Sequence, residues 1–296
     1  MPETATPPTQ ARILAAIGHI SALAMGLGLP LPVAFWHENR EKSPYVAYHA
    51  LQSLGYQTLG FTIWMLVYLL AIIILLLPVM VISTNSPENS KIGAILGIGM
   101  AVFSLALLGL FFIYFLLPII AAVACLLGKD FRYPILGPRL AKYLDYDFSD
   151  PEKMLNDEHS EHWVAAMGHF AIIIMIWGML APLVALLLDK RRSPFLKFQS
   201  IQALIYQGIG TLGYFGFMFL YFFVFMGILA SSGGQVEQLP TPVLIGFAFS
   251  MLCIMAILLL VGPAYQILAQ WAAYRILKGD NYHFPLVAKL AGKWTQ

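Results

Sequence analysis

The chain has 296 residues, 59% of them hydrophobic and 11% charged, with a formal net charge of +2. Soluble domains carry about 25% charged residues, so this balance excludes an ordinary soluble core. Apolar runs longer than the ~20 residues a bilayer requires imply membrane spans. The near-zero net charge gives no ground for a nucleic-acid partner. The two cysteines, Cys125 and Cys253, lie inside apolar runs without CxxC spacing, which excludes a disulfide framework or a zinc finger.

Residues 1–12 form a Pro/Thr-rich tail without the features of a removable signal peptide, and the first apolar run is expected to serve as a signal anchor. That run, Ile13–Trp36, carries His19 and then a Gly/Pro-rich half, Gly26 to Pro32, which should kink or loosen a helix. The second run opens at Ser43-Pro44, a capping hydroxyl followed by proline in the first turn, and continues to Ile82. The third, Ile92–Leu127, ends in Gly128-Lys-Asp-Phe-Arg-Tyr-Pro134. An acidic, water-facing linker follows over 139–162, where Asp150-Pro151 is expected to open a short helix. The fourth run is Trp163–Leu188. Lys190, Arg191, Arg192 and Lys197 come next and read as topology determinants or contacts to anionic headgroups. The fifth run, Ile201–Ala230, has Gly210, Gly213 and Gly216 at three-residue spacing, suited to close helix approach. The sixth is Thr241–Leu277.

The chain repeats itself. Ser43, Pro44, Gln52, Tyr56 and Gln57 recur as Ser193, Pro194, Gln202, Tyr206 and Gln207, and Gly18-His19 as Gly168-His169. The segment Gly128–Pro134 returns as Gly279–Pro285. These matches predict a first membrane repeat over 13–138 and a second over 163–296, a duplicated domain rather than a solenoid. The fold class is all-α: a polytopic membrane protein with about six transmembrane helices in two related three-helix repeats. Two topologies fit: an inverted repeat, or an even number of crossings per repeat with one run re-entrant, interfacial or split.

A polar face of the motif helix carries His49, Gln52, Ser53 and Tyr56, matched by Gln199, Gln202 and Tyr206. Such a face lines a polar path or a ligand pocket, or else forms interhelical hydrogen bonds. His19 and His169 are a symmetric pair that could ligate haem iron, although neither helix carries an attachment motif. His159, His162 and His169 share a helical face and could bind a metal, although their segment is also suited to a membrane interface. Carboxylates are nearly absent from the apolar cores, which disfavours an ion-coupled pump.

The Ser-Pro-aromatic step, His49-x-x-Gln52 and the Gly128–Pro134 tail resemble the bacterial membrane proteins called domain of unknown function forty-eight-seventy, grouped with the Tic-twenty-like proteins. Gln199 stands where the second copy would carry the histidine. The resemblance implies a bacterial membrane protein whose chloroplast relatives belong to an import channel. The reading is a non-enzymatic protein of the bacterial inner membrane, without a cofactor. It would act as an accessory subunit or an assembly or translocation factor, through helix contacts with other membrane proteins in a hetero- or homo-oligomer. The alternatives are a channel or transporter for a neutral or protein substrate, and a haem- or quinone-associated electron-transfer subunit.

Overall fold

The computed structural model describes residues 6–85, 90–150, 153–188, 193–235 and 239–295. The described residues fold as helices joined by turns, and the chain divides into two compact units, Met1–Met167 and Gly168–Gln296. Lys190, Arg191, Arg192 and Pro151 lie outside the described residues.

In the first unit, α1 (Thr9–Ile20) leads through a 3₁₀ segment, Ser21–Gly28, into α2 (Pro30–Asn39). The backbone breaks at Met25, where φ is 50° and ψ is −135°. This lies in a sparsely populated region for a residue with a side chain. The break reverses the chain. Gly28 lies so close to the Ser21 carbonyl that any Cβ would overlap it, and Gly18 faces the Phe35 ring one turn further back. Residues 21 and 28, then 18 and 35, pair as the two arms of an antiparallel helical hairpin. The first arm is the 12 residues of α1, about 18 Å of helix, continued by the 3₁₀ segment as far as the break at Met25. The arm ends meet the same segment. Arg12 Nη1 donates to the Leu126 carbonyl at 3.3 Å, and the Tyr45 hydroxyl, just past α2, donates to the Lys129 carbonyl at 3.2 Å.

The membrane-crossing part of the unit is α3 (Pro44–Gly55) with α4 (Phe61–Asn85), followed by α5 (Ser90–Leu126). A single π turn, Tyr56–Gly60, joins α3 to α4. Ser43 caps α3, its hydroxyl accepting from the Val46 amide at 3.3 Å. Small residues Ala11, Ala15 and Ala16 let α1 lie tightly against Ala122 and Cys125 of α5. Beyond α5 the chain runs through an irregular segment to α6 (Leu136–Tyr143), a short amphipathic helix. α7 (Asp157–Phe170) then starts at an Asn156 cap rather than at Asp150-Pro151: Asn156 Oδ1 accepts from the His159 amide at 3.0 Å. A buried guanidinium ties the hairpin to this helix. Arg40 donates to both Asp157 oxygens at 3.0 and 2.8 Å and to Glu161 at 2.7 Å, and it lies over the Trp36 ring. Burial alone would lower its pKa, but hydrogen bonds and charge from the two carboxylates hold it above the usual value.

The second unit repeats the plan. A break at Met175, φ 55° and ψ −130°, falls at the same repeat position as Met25, inside Ala171–Met179. A Cβ on Gly178 would overlap the Ala171 carbonyl, and Gly168 faces Pro182 of α8 (Leu180–Leu188). α9 (Pro194–Ser231) is capped by Ser193, which accepts from the Leu196 amide at 3.3 Å. α10 (Thr241–Leu277) and the amphipathic α11 (Val287–Thr295) complete it.

Among the described residues, five stretches have the length and apolarity to cross a membrane: Thr9–Gly28, Pro44–Ile74, Gly97–Leu126, Asp157–Leu188 and Pro194–Ser231; Thr241–Ile254 of α10 is a shorter one. The protein is thus a polytopic helical membrane protein. Two of these stretches, Thr9–Gly28 and Asp157–Leu188, contain the breaks at Met25 and Met175, so the first apolar segment of each repeat doubles back as a helical hairpin and is followed by two long helices.

Candidate functional site

The repeated polar residues are buried, and most are engaged in holding their own unit together. Gln52 works as a clasp: its amide donates to the Phe131 carbonyl at 3.0 Å, and its Oε1 accepts from the Tyr133 amide at 2.9 Å. Gln202 makes the same two bonds to Tyr282 and Phe284, both at 2.9 Å. The glutamine suits this task because the segment presents one carbonyl and one N–H, and the side-chain amide carries an NH₂ donor and a C=O acceptor side by side. Ser53 donates to the Gly18 carbonyl at 2.5 Å, and Gln57 donates to Ser21 and Ser53 at 3.0 and 3.1 Å. Gln207 donates to the Gly168 carbonyl at 2.7 Å. Both glutamines secure the helical hairpin of their repeat. The Tyr56 hydroxyl donates to the Tyr114 carbonyl at 2.7 Å, and that of Tyr206 to the Tyr265 carbonyl at 2.9 Å.

What remains after this accounting is a titratable cluster in the first unit. His19, on the outbound arm, places Nε2 3.1 Å from His49 Nδ1, on the first helix after the Ser-Pro cap. Cys125, from the end of α5, places Sγ 3.6 Å from the same His49 nitrogen. The ligating atoms of His19, His49 and Cys125 all lie within 4.8 Å of one another, and all three residues are fully buried. The second nitrogen of each imidazole also faces a polar group. His19 Nδ1 is 3.1 Å from the Tyr133 hydroxyl, and His49 Nε2 is 3.7 Å from Asp130 Oδ1. Burial pushes the Asp130 carboxyl above its ordinary range, and the Arg132 guanidinium, 2.7 Å away, pulls it back. Tyr45 closes the cluster from outside, its ring 4.4 Å from that of His49. Beyond Tyr45 opens a cavity of about 860 Å³ lined by Thr6, Leu14, Phe35, Ser43, Tyr146 and Phe148 among others.

The second unit holds a neutral version of this cluster. His169 is retained, with Nε2 3.2 Å from Gln199 Oε1, and Gln199 donates to Asn281 Oδ1 at 2.7 Å. Gln199 stands for His49, Asn281 for Asp130, Phe284 for Tyr133 and Ile276 for Cys125.

The structure therefore brings His19 and His49 together and adds Cys125, Asp130 and Tyr133, which the sequence reading did not group. Cys125 reads as one more apolar-run residue until α5 is seen to lie against α1. The other histidine candidates are engaged locally. His159 stacks on Tyr143 and its Nδ1 sits 2.6 Å from the Tyr143 carbonyl. His162 lies one turn along α7, while His169 belongs to the neutral cluster. Of the spaced glycines, Gly210 is tightly packed against the Tyr265 ring, whereas Gly213 and Gly216 face open space.

Fold and site together define a class: a duplicated helical membrane protein in which each repeat clasps a helical hairpin, one repeat keeping an ionisable centre and the other a neutral one. The MamF/MmsF family model, described as the magnetosome magnetite crystal formation protein family, matches residues 10–140 and again 160–291, one match per repeat. The chain belongs to that family. No curated protein and no solved structure matches it. This match replaces the resemblance to the Tic-twenty-like and domain of unknown function forty-eight-seventy proteins, for which no family model matches. In this chain the Ser-Pro step caps α3 and α9, and the Gln clasp docks the Gly-to-Pro tail.

Proposed function

We propose that this protein acts in magnetite crystal formation as a non-enzymatic component of the magnetosome membrane, working through contacts with other membrane proteins. The carrying observation is the double family match, in register with the two structural repeats. The geometry favours an accessory role over a channel: within each unit the polar helix face is engaged by that unit's own hairpin and tail. On α9, Phe217, Phe219, Phe222 and Phe223 are exposed, beside the open faces of Gly213 and Gly216, a surface that meets either lipid or a partner helix.

The test is removal of the gene from a magnetosome-forming host, with electron microscopy of the crystals and complementation by a fluorescently tagged copy. Altered crystal size or shape, restored by a copy that localises to magnetosomes, is the expected result. Unchanged crystals, or localisation only elsewhere in the cell, would overturn the reading.

A further inference from the structure

We infer that the buried cluster of the first unit is a binding site for one divalent first-row transition cation, held by His19 Nε2, His49 Nδ1 and Cys125 Sγ. The distances carry the claim first. Tetrahedral coordination with metal–nitrogen bonds of about 2.0–2.1 Å and a metal–sulfur bond of about 2.3 Å places neighbouring nitrogens about 3.3 Å apart, and nitrogen and sulfur about 3.6 Å apart. The His19–His49 and His49–Cys125 separations are 3.1 and 3.6 Å. Two edges of a coordination polyhedron are thus in place before any ion arrives. The ligands come from α1, α3 and α5, so the hairpin and the crossing helices together fix the site.

The surroundings point the same way. A metal-bound imidazole characteristically directs its other ring nitrogen to a carboxylate or another oxygen, which sets tautomer and orientation. Here Tyr133 takes that place for His19 and Asp130 for His49. His49 Nε2 is fully buried and has no hydrogen-bond partner among the described residues. A cation on Nδ1 makes Nε2 an obligate N–H donor and draws it toward Asp130, 3.7 Å away. Tyr45, whose ring is 4.4 Å from that of His49, separates the cluster from the neighbouring cavity.

The second unit serves as an internal control. The same fold is built there with His49, Cys125, Asp130 and Tyr133 replaced by Gln199, Ile276, Asn281 and Phe284. The neutral set satisfies itself through Gln199, which bridges His169 and Asn281. Packing therefore does not require the ionisable set. Two imidazoles and one thiolate suit a borderline-soft ion such as Fe²⁺ or Zn²⁺ rather than Mg²⁺ or Ca²⁺. Binding releases the thiol proton of Cys125, since the thiolate is the ligand. This inference does not rest on the proposed role in crystal formation.

The experiment is an anaerobic titration of the purified, chelator-stripped full chain in detergent with Co²⁺ as spectroscopic probe. One Co²⁺ per chain, a thiolate-to-cobalt charge-transfer band and displacement by Zn²⁺ or Fe²⁺ are expected. Cys125→Ser should remove the band, and His49→Gln should abolish stoichiometric binding. Asp130→Asn and Tyr133→Phe should weaken affinity about 10-fold. His49→Gln, Asp130→Asn and Tyr133→Phe each install the residue the second unit already uses, so the folded state should survive, as checked by circular dichroism and gel filtration. His169→Gln and Cys253→Ser should leave the titration unchanged. Folded protein without the band, a band surviving Cys125→Ser, or one lost in Cys253→Ser would overturn the assignment. The titration uses no crystals or cells, so its failure is distinct from a failure of the crystal-formation reading.

Discussion

At the scale of single residues, the duplicated chain separates what the fold requires from what one copy adds. Gln52 and Gln202 perform one task, pairing a carbonyl and an N–H of the tail. Gln52→Leu leaves both backbone groups buried without partners, and should destabilise the first unit by about 2–4 kcal/mol. Gln202→Leu should do the same in the second. Thermal unfolding in detergent reads both; unchanged melting would remove the clasp from the account. Arg40 is a second such residue. With its side chain 4% exposed and that of Asp157 53% exposed, Arg40→Met removes the charged hydrogen bonds to Asp157 and Glu161 and should cost about 1–2 kcal/mol, solvent screening of Asp157 holding it below the cost of a fully buried pair. Arg40→Lys should recover only part, because a lysine cannot form the paired contact to Asp157.

At the scale of elements, the glycines divide by what stands opposite them. Gly210→Leu collides with the Tyr265 ring and should destabilise the second unit. Gly213→Leu and Gly216→Leu meet open space and should leave thermal stability within about 0.5 kcal/mol of the parent. Any loss of co-purifying membrane proteins in those two variants then reports a contact surface, and unchanged co-purification would count against it. The sequence showed the repeat, the caps at Ser43 and Ser193 and the approximate ends of the apolar runs, because each rests on local chemistry that periodicity and proline position reveal. It hid the reversal at Met25 and Met175. A Gly/Pro-rich apolar stretch reads equally as a kinked span or as a hairpin, and only the approach of Gly28 to Ser21 decides between them. The short helices α6 and α11 were hidden as well, since eight or nine residues with a basic edge give too weak a periodic signal. Cys125 was passed over for the same kind of reason: its partners lie 76 and more residues away.

At the scale of the whole molecule, the hairpins change how each unit meets the membrane. Three straight spans would make each repeat begin and end on opposite sides. A hairpin plus two crossings returns the chain to the side where it started, which is why Arg12, before the break, meets Leu126 at the end of α5. The same return carries His19 to His49 and Cys125, so the ionisable centre exists only if the first apolar run doubles back. The most direct test is sided cysteine labelling of the first unit, with Cys125 and Cys253 replaced by serine and single cysteines placed at Thr6, Ser43 and Lys129. The account predicts that a membrane-impermeant reagent reaches all three from the same side. Labelling of Thr6 and Ser43 from opposite sides would mean a straight first span, and would contradict both the hairpin and the site built on it.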